Sequence, residues 1–321
     1  MSFNQFTNLD FADLRQQIKD YLRVNSDFAD FDFEGSNFST LIDLLAYNTY
    51  ITAYNTNMAV NECFLDSATL RENVVSLARN IGYVPRSARS AMATINFSVD
   101  LGTNDTRIVT LKAGQVALGN QVGGSYIFSI PDDFVATAGD NNVAVFNNLN
   151  IYEGVYLQKS FQIDYSQPNQ RFILPNANID TNSIRVTVTS TTSEIYTLYD
   201  NILRVDAESK LFLIQEIEDE HYEILFGDGI LGKKPPSGAI VNVSYIVSNG
   251  RAGNDAKNFS FIGILEDDRG LSITSGISVI QTANKASMGD DIEDISSIKY
   301  LAPRIYSCLL YTSDAADDVE C

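Results

Sequence analysis

The sequence has little of the residues on which many catalytic, metal-binding and disulfide-bonded proteins depend. Its 321 residues include no tryptophan, one histidine and three cysteines. Cys63, Cys308 and Cys321 have neither the spacing of metal ligands nor the number that a disulfide framework needs, which fits folding in a reducing cytoplasm. No apolar run approaches the roughly 18 residues that span a bilayer. The acidic N-terminal stretch lacks an apolar core and is not expected to be a signal peptide.

Basic residues are also scarce. The chain has 22 Lys and Arg against 41 Asp and Glu, which gives a formal net charge of −19. Binding to nucleic acid or to an anionic membrane requires an excess of basic side chains that displaces counterions. The sequence therefore predicts neither nucleic acid nor a membrane as a partner.

One uninterrupted stretch, residues 37–63, dominates the first ninety residues. Ser36 is suited to cap a helix there, and no Pro or Gly interrupts it, so a helix of about 40 Å is expected. A helix that is apolar over this much of its surface is normally surrounded by other elements. These could belong to a small bundle within this chain or to a bundle shared with other chains. Its apolar side chains form two stripes, Leu41 with Leu45 and Tyr47 with Ile51, Tyr54 and Met58.

Two shorter helices flank the long one. Asp10 is a candidate N-cap for a first helix, which carries Leu14, Ile18 and Tyr21 on one seam. Residues 25–34 are predicted to form a linking turn. A third helix begins at a capping box formed by Thr69 and Glu72, and it ends at Gly82 and Pro85. Three helices that each have a seam to bury predict a helical unit over residues 1–90.

At Ala91 the apolar period changes from 3.6 to 2, which indicates strands. Short strands separated by Gly-, Asn- and Asp-rich turns predict a largely antiparallel β domain over residues 91–262. The candidate strands are 93–99, 107–112, 126–130, 143–146, 155–163, 172–174, 184–189, 195–199, 211–215, 222–226 and 240–247.

The pattern weakens after residue 262. Residues 290–301 are predicted to form a short helix that stops before Pro303, with Asp290, Asp291, Glu293 and Asp294 favouring its N-terminus. Residues 263–307 are therefore expected to begin a further mixed domain. The predicted fold class is α+β, with a helical bundle segment, a largely antiparallel β domain and the start of this α/β domain.

Residues 308–321 match nothing before them. The segment CLLYTSDAAD resembles the translation of a transposon mosaic end with its adjoining sequencing adaptor. We therefore expect residues 308–321 to be an artefactual read-through, and the natural chain to continue beyond Ser307.

Gly227, Gly229 and Gly232 match the G-x-G-x-x-G pattern of dinucleotide sites, but Pro235 and Pro236 prevent the helix that such a site requires. Asp228-Gly229 instead favours a tight turn with positive φ, so residues 227–238 are predicted to form a structural hairpin.

Other chemically suggestive residues have simpler interpretations. His221, the only histidine, stands among acidic residues and could act as an acid or base, but a solvated acidic hairpin is the preferred interpretation. Asp30, Asp32 and Glu34 alternate like ligands of a hard cation but lack the loop of an EF-hand. Cys63 is predicted to be a small buried residue. No catalytic residue, metal ligand or cofactor site is predicted, and the chain is not expected to be an enzyme.

Three blocks carry a resemblance to a known family. They are residues 31–50 continuing into 70–91, residues 226–254 and residues 289–306. Together they resemble the baseplate wedge subunit of contractile-tailed (T4-like) bacteriophages, a member of the baseplate J-like family. In that family the third block continues into an Arg-x-Val-Thr segment and further domains, one of which dimerises. This chain departs from the pattern after Tyr306, which is why C-terminal truncation is expected.

The resemblance implies a structural protein of the virion tail baseplate, assembled in the cytoplasm of the host bacterium. It implies an N-terminal helical bundle with other wedge proteins, a second copy of the chain, and contacts between neighbouring wedges in a ring around the tail hub that rearranges on contraction. Leu41, Leu44, Leu45, Tyr47 and Ile51 match the family's long helix and are the candidate bundle contacts. Leu14, Ile18 and Tyr21 are added from periodicity.

An alternative remains open on the sequence alone. A tail-associated β protein could bind or hydrolyse glycans in an acidic cleft, because paired carboxylates are brought together in space and not in sequence. The absence of tryptophan, a common stacking platform for sugars, makes it the weaker interpretation.

Overall fold

The computed structural model describes residues 10–25, 37–102, 106–121, 123–167, 169–199, 205–282 and 284–304. Ser36, the turn expected from residue 26 onward, the acidic triplet at 30–34 and the segment 308–321 lie outside the described residues. Described residues up to Pro85 and from Asp294 onward form one unit, and Arg86–Glu293 forms the other. The domain limits expected at residues 90 and 262 stay predictions.

Four helices make up the described part of the first unit. They are α1 (Phe11–Asn25), α2 (Asn37–Glu62), α3 (Arg71–Asn80) and α4 (residues 295–304). The expected cap of α1 is present, because the Asp10 carboxylate accepts hydrogen bonds from the backbone N–H groups of Ala12 (2.8 Å) and Asp13 (3.2 Å).

The N-terminus of α3 is capped differently from the expectation. Thr69 and Glu72 do not form a capping box; the helix follows Leu70, which makes no side-chain cap. The carboxylate of Glu62, the last residue of α2, instead accepts hydrogen bonds from the Thr69 backbone N–H (2.7 Å) and hydroxyl (2.6 Å), the Leu70 N–H (3.3 Å) and Asn73 Nδ2 (2.9 Å). The Glu62 side chain therefore links the C-terminal end of α2 to the N-terminus of α3.

Gly82 ends α3 as the sequence predicts. Its φ is +82°, and its N–H donates to Arg79 O while the Tyr83 N–H donates to Ala78 O. This is the Schellman arrangement. Tyr83 and Ala78 also belong to the small core of this unit, which contains Ala68, Val74, Val75, Ile298 and Ala302.

The last helix begins later and ends later than predicted. Asp294 caps α4, with Oδ1 3.3 Å from the Ser297 N–H, and the helix continues through Pro303 to residue 304. Asp290 and Glu293 do not serve the helix N-terminus. Asp290 pairs with Arg251 (2.6 Å) and Arg86 (3.3 Å), and Glu293 accepts the Arg86 N–H at 3.0 Å.

The second unit contains sixteen described strands in three sheets, ordered β14-β3-β4-β6-β1-β16, β7-β13-β9-β10-β11-β12-β8 and β15-β2-β5. Every strand pair except β10 with β11 is antiparallel. With the helices, this confirms the predicted α+β class.

The strands are β1 (Met92–Asp100), β2 (Ile108–Leu111), β3 (Gly114–Gln121), β4 (Gly124–Ile130), β5 (Phe134–Thr137), β6 (Val143–Glu153), β7 (Val155–Gln162), β8 (Phe172–Leu174), β9 (Ile179–Thr189), β10 (Ser193–Leu198), β11 (Leu211–Glu216), β12 (Tyr222–Phe226), β13 (Ile240–Val247), β14 (Lys257–Phe261), β15 (Leu265–Asp267) and β16 (Gln281–Thr282).

Two hydrophobic cores support these sheets. One lies among the six- and three-stranded sheets, where Phe97 stacks on Phe146 at 4.6 Å and Phe128 meets Phe259 edge-on at 4.9 Å. The other covers one face of the seven-stranded sheet and is built around buried Tyr196, Phe212 and Tyr245.

A fully buried carboxylate joins the two β regions. Glu153, at the end of β6, accepts hydrogen bonds from the Ser248 hydroxyl (2.8 Å), the Asn249 N–H (3.0 Å) and Asn249 Nδ2 (2.8 Å). Gly253 approaches so closely that a Cβ there would lie 2.4 Å from Glu153 Cγ. The loop after β13 is thus held on the end of β6 by one side chain.

We predict that Glu62→Gln destabilises the helical unit by about 1 kcal/mol at pH 7, the usual loss for a helix cap. Burial by itself would raise the pKa of Glu62, but the hydrogen bonds from Thr69, Asn73 and Leu70 outweigh it and lower the pKa. A lowered folded-state pKa adds stability above the unfolded value, and this stability is lost as the pH falls through the folded pKa. The difference between wild type and Glu62→Gln in urea unfolding should therefore shrink below pH 4.5, the ordinary pKa.

Glu72→Gln, at an exposed carboxylate in the first turn of α3, is the matched control and should change stability less. Equal losses for the two variants would show that Glu62 acts only through its charge near the helix N-terminus.

We predict a larger loss for Glu153→Ala. It removes the acceptor of the buried Ser248 hydroxyl and of two donors of Asn249, and a buried donor left without an acceptor costs about 1–3 kcal/mol. Chemical denaturation should show this loss, with Glu153→Gln intermediate because it keeps one acceptor oxygen. Glu208→Ala, at an exposed site, should stay within about 0.5 kcal/mol of wild type. If Glu153→Ala also lowers the free energy of unfolding by only about 0.5 kcal/mol, Glu153 does not hold the loop after β13 on the end of β6.

Candidate partner-binding face of the helical unit

The long helix α2 buries one narrow face, formed by Ser39, Ile42, Ala46, Asn57 and Asn61. Arg15 of α1 forms an ion pair with Asp43 (2.5 Å) and lies 3.4 Å from the Ser39 hydroxyl. Small side chains at Ser39 and Ala46 leave room for close packing of the neighbouring helix. Where Arg15 of α1 meets α2, the contacts are therefore polar.

The large apolar side chains of α2 point the other way. At 3.6 residues per turn, these positions spread over about half of the helix circumference, and the centre of that half lies opposite Ile42 and Ala46. We call this surface the α2 face; its exposed fractions are Leu41 53%, Leu44 62%, Leu45 58%, Tyr47 57%, Ile51 37% and Tyr54 44%.

The α2 face carries no free charge. Among the 26 residues of α2 only Asp43 and Glu62 are ionisable to charged forms at neutral pH. Asp43 pairs with Arg15, and Glu62 caps α3. A helix that faces water normally presents charged side chains on that side. This composition is therefore typical of a surface that another protein covers.

Three threonines beside the α2 face satisfy their hydroxyls within the helix. Thr49, Thr52 and Thr56 donate to the carbonyls of Leu45 (2.9 Å), Asn48 (2.9 Å) and Thr52 (2.8 Å). A back-bonded hydroxyl needs no further partner for its proton. These side chains can therefore be covered by a partner helix at little desolvation cost.

The eight residues predicted for the bundle separate into two groups. Leu41, Leu44, Leu45, Tyr47 and Ile51 lie together on the α2 face, with Tyr21 of α1 also exposed, at 68%. Leu14 and Ile18 are half-buried in the chain itself. Tyr54 was absent from the predicted set, although its spacing from Tyr47 and Ile51 was already visible in the sequence. That these residues bind a partner stays a prediction.

The loop after β12 is not a hairpin. Gly229 has φ +92°, its N–H donates to Gly232 O at 3.0 Å, and Asp228 accepts the N–H groups of Ile230 and Leu231. However, β12 pairs with β11 and β8, and β13 pairs with β7 and β9. The turn containing Gly227, Asp228 and Gly229, with Pro235 and Pro236 beyond it, therefore connects two strands that lie apart in the sheet.

His221 and Glu223 each have a partner within the chain. His221 Nδ1 lies 3.3 Å from the Glu218 carbonyl, while buried Glu223 forms a bidentate pair with Arg171 at 2.8 Å. Within the described ranges, no three His, Cys, Asp or Glu residues are grouped as a metal site would require. None of the helices described has both the length and the apolar character to cross a membrane. Cys63, expected to be buried, is exposed.

Comparison with known proteins gives three findings. Residues 10–83 match the family model "Baseplate wedge protein gp6-like, helical domain". Residues 159–251 match "Bacteriophage baseplate wedge protein gp6, third domain". The chain is also 28% identical over 309 residues to baseplate wedge protein gp6 of Enterobacteria phage T4, a match that covers 91% of this chain and 46% of that protein. The chain thus spans about half the length of this relative.

We predict that the two faces of α2 respond differently to substitution. Leu44→Gln with Leu45→Gln should lower the fluorescence of a bound hydrophobic dye and leave the melting temperature nearly unchanged, because both side chains are already exposed. Ile42→Ala, on the buried face, should cost about 2–5 kcal/mol. A double variant as unstable as Ile42→Ala would show that the α2 face is packed within the chain.

Proposed function

We propose that this protein is a structural component of the baseplate wedge of a contractile phage tail and that other wedge proteins pack on its α2 face. The proposal is supported by the two domain matches and by the similarity to the T4 wedge protein along 91% of the chain. The helical-domain match, residues 10–83, includes all of α1, α2 and α3.

The α2 face is the observation that carries the proposal. Six large apolar side chains project from one helix with no free charge among them. Burying them would contribute on the order of 10 kcal/mol before the cost of association. A helical partner that supplies complementary apolar side chains would complete a bundle, with ridges of one helix packed into grooves of the other.

The finer parts of the proposal come from the resemblance to the baseplate J-like family. They are two copies of the protein in each wedge, contacts between neighbouring wedges in a ring around the hub, and rearrangement of that ring on contraction. Assembly would take place in the host cytoplasm, and the chain would act as a scaffold and not as an enzyme. A net charge of −19 supports protein partners over nucleic acid or an anionic membrane.

We predict that Leu41→Asp or Leu45→Asp abolishes co-purification with the other wedge proteins of the same phage. An unpaired carboxylate buried in a helical interface costs several kcal/mol, which is enough to lower affinity more than a thousandfold. The measurement is co-expression with each wedge protein, followed by affinity purification and size-exclusion chromatography.

Val279→Asp is the matched control, because Val279 is 84% exposed and lies outside the helical unit. This variant should co-purify as wild type does. Retained binding in both α2 variants would remove the α2 face as the interface.

A further inference from the structure

The loop between β12 and β13 presents two large aliphatic side chains to solvent. Ile230 is 76% exposed and Leu231 is 61% exposed. We call residues 230–231 the loop tip. Exposed aliphatic side chains indicate an interaction site when they are part of a larger contiguous apolar patch.

The backbone of the loop is held firmly. Asp228 Oδ1 accepts the N–H groups of Ile230 (2.8 Å) and Leu231 (2.9 Å), and these bonds lower the pKa of Asp228. The Gly232 N–H donates to the Asp206 carbonyl at 3.0 Å, and the Lys233 N–H donates to the Ser209 carbonyl at 2.7 Å. The tip is therefore pre-organised, which lowers the entropy lost when a partner binds.

The loop tip continues into an apolar area on the sheet. Leu213 and Leu225 are directly opposite each other on β11 and β12, on the face away from the core, and are 40% and 37% exposed. Leu211 lies on the same face, two residues from Leu213. Gly232 packs on it so closely that a Cβ would lie 2.8 Å from Leu211 Cδ1. The tip and these leucines form one surface.

Charge around this surface indicates the kind of partner. The exposed carboxylates of Asp206, Glu208 and Asp228 flank the tip. The nearby ammonium groups of Lys210 (3.1 Å) and Lys233 (2.8 Å) are engaged by Glu194, and Lys234 lies over the Tyr165 ring at 4.2 Å, where it also attracts Asp228. Carboxylates outnumber ammonium groups around this apolar centre, and the chain has a net charge of −19. This surface therefore complements a groove with an apolar floor and a basic rim, and it opposes a second copy of the same acidic chain.

We propose that the loop tip, with Leu211, Leu213 and Leu225, inserts into an apolar groove with a basic rim on a different baseplate protein. The inference rests on the proposed function and adds to it a second partner surface, separate from the α2 face. It requires no movement of the loop, since the tip is already exposed and held in place.

The test measures binding of the full chain to each purified baseplate protein of the same phage, taken singly, by biolayer interferometry. The double variant Ile230→Ser with Leu231→Ser should weaken binding to one of these proteins at least tenfold. Val279→Ser removes an aliphatic side chain that is 84% exposed elsewhere, and it should leave that affinity within twofold of wild type. Glu208→Lys should slow association with the same protein at low salt and have little effect at high salt.

Leu45→Asp is measured in parallel to keep the two surfaces distinguishable. If Leu45→Asp abolishes binding and the loop double variant leaves binding intact for every baseplate protein, this inference is overturned and the proposed function is kept. Absence of binding by the wild-type chain to any baseplate protein would overturn both. Loss only of self-association, or only of binding to neutral phosphatidylcholine vesicles, would overturn the assignment of a different protein as the partner.

Discussion

The organising constraint of this molecule is that α2 exposes a wide, uncharged surface rich in large apolar side chains. Its buried face is narrow and partly polar, and its wide apolar face is exposed. Both of its charges are used within the chain, one to hold α1 through Arg15 and one to cap α3. These two interactions hold α1 and α3 against α2 and leave the apolar surface of α2 exposed. In the proposed function other wedge proteins cover this surface, which connects the fold of the N-terminal unit to the proposed scaffold role.

In the β unit, buried carboxylates of this acidic chain accept hydrogen bonds from other residues of the unit. Glu153 receives three hydrogen bonds from residues 248–249, and Asp180 accepts the Ser90 N–H at 2.9 Å. Glu223 is held by the guanidinium of Arg171. Buried charge is tolerated where such donors replace water. Each of these carboxylates binds a segment that is distant in sequence, so they also hold those segments together in the folded unit.

Periodicity predicted what depends on local sequence. The three N-terminal helices, eleven strand positions and the Gly82 helix end all correspond to observed elements. The strands β3, β5, β14, β15 and β16 were not predicted. β3 carries two glycines, and Gly119 is required because the ring of Phe259 lies where a Cβ would be, at 2.6 Å. The cap from Glu62, the pairing of Asp290 with Arg251 and the separation of β12 from β13 all depend on tertiary contacts, which a linear pattern does not encode. The α2 face was visible in sequence because its apolar spacing is local.

The pairing of Arg86 with Glu293 has a consequence for synthesis. The two residues are 207 positions apart, and neighbouring Arg89 and Asp290 exchange backbone hydrogen bonds as well. At about 5–20 residues per second, the ribosome completes residue 293 roughly 15–60 s after it starts the chain. Until residues 281–282 are made, β1 lacks its partner β16, whereas α2 is made early and its backbone hydrogen bonds are local. The helix that carries the proposed partner surface is therefore synthesised before the β unit can close.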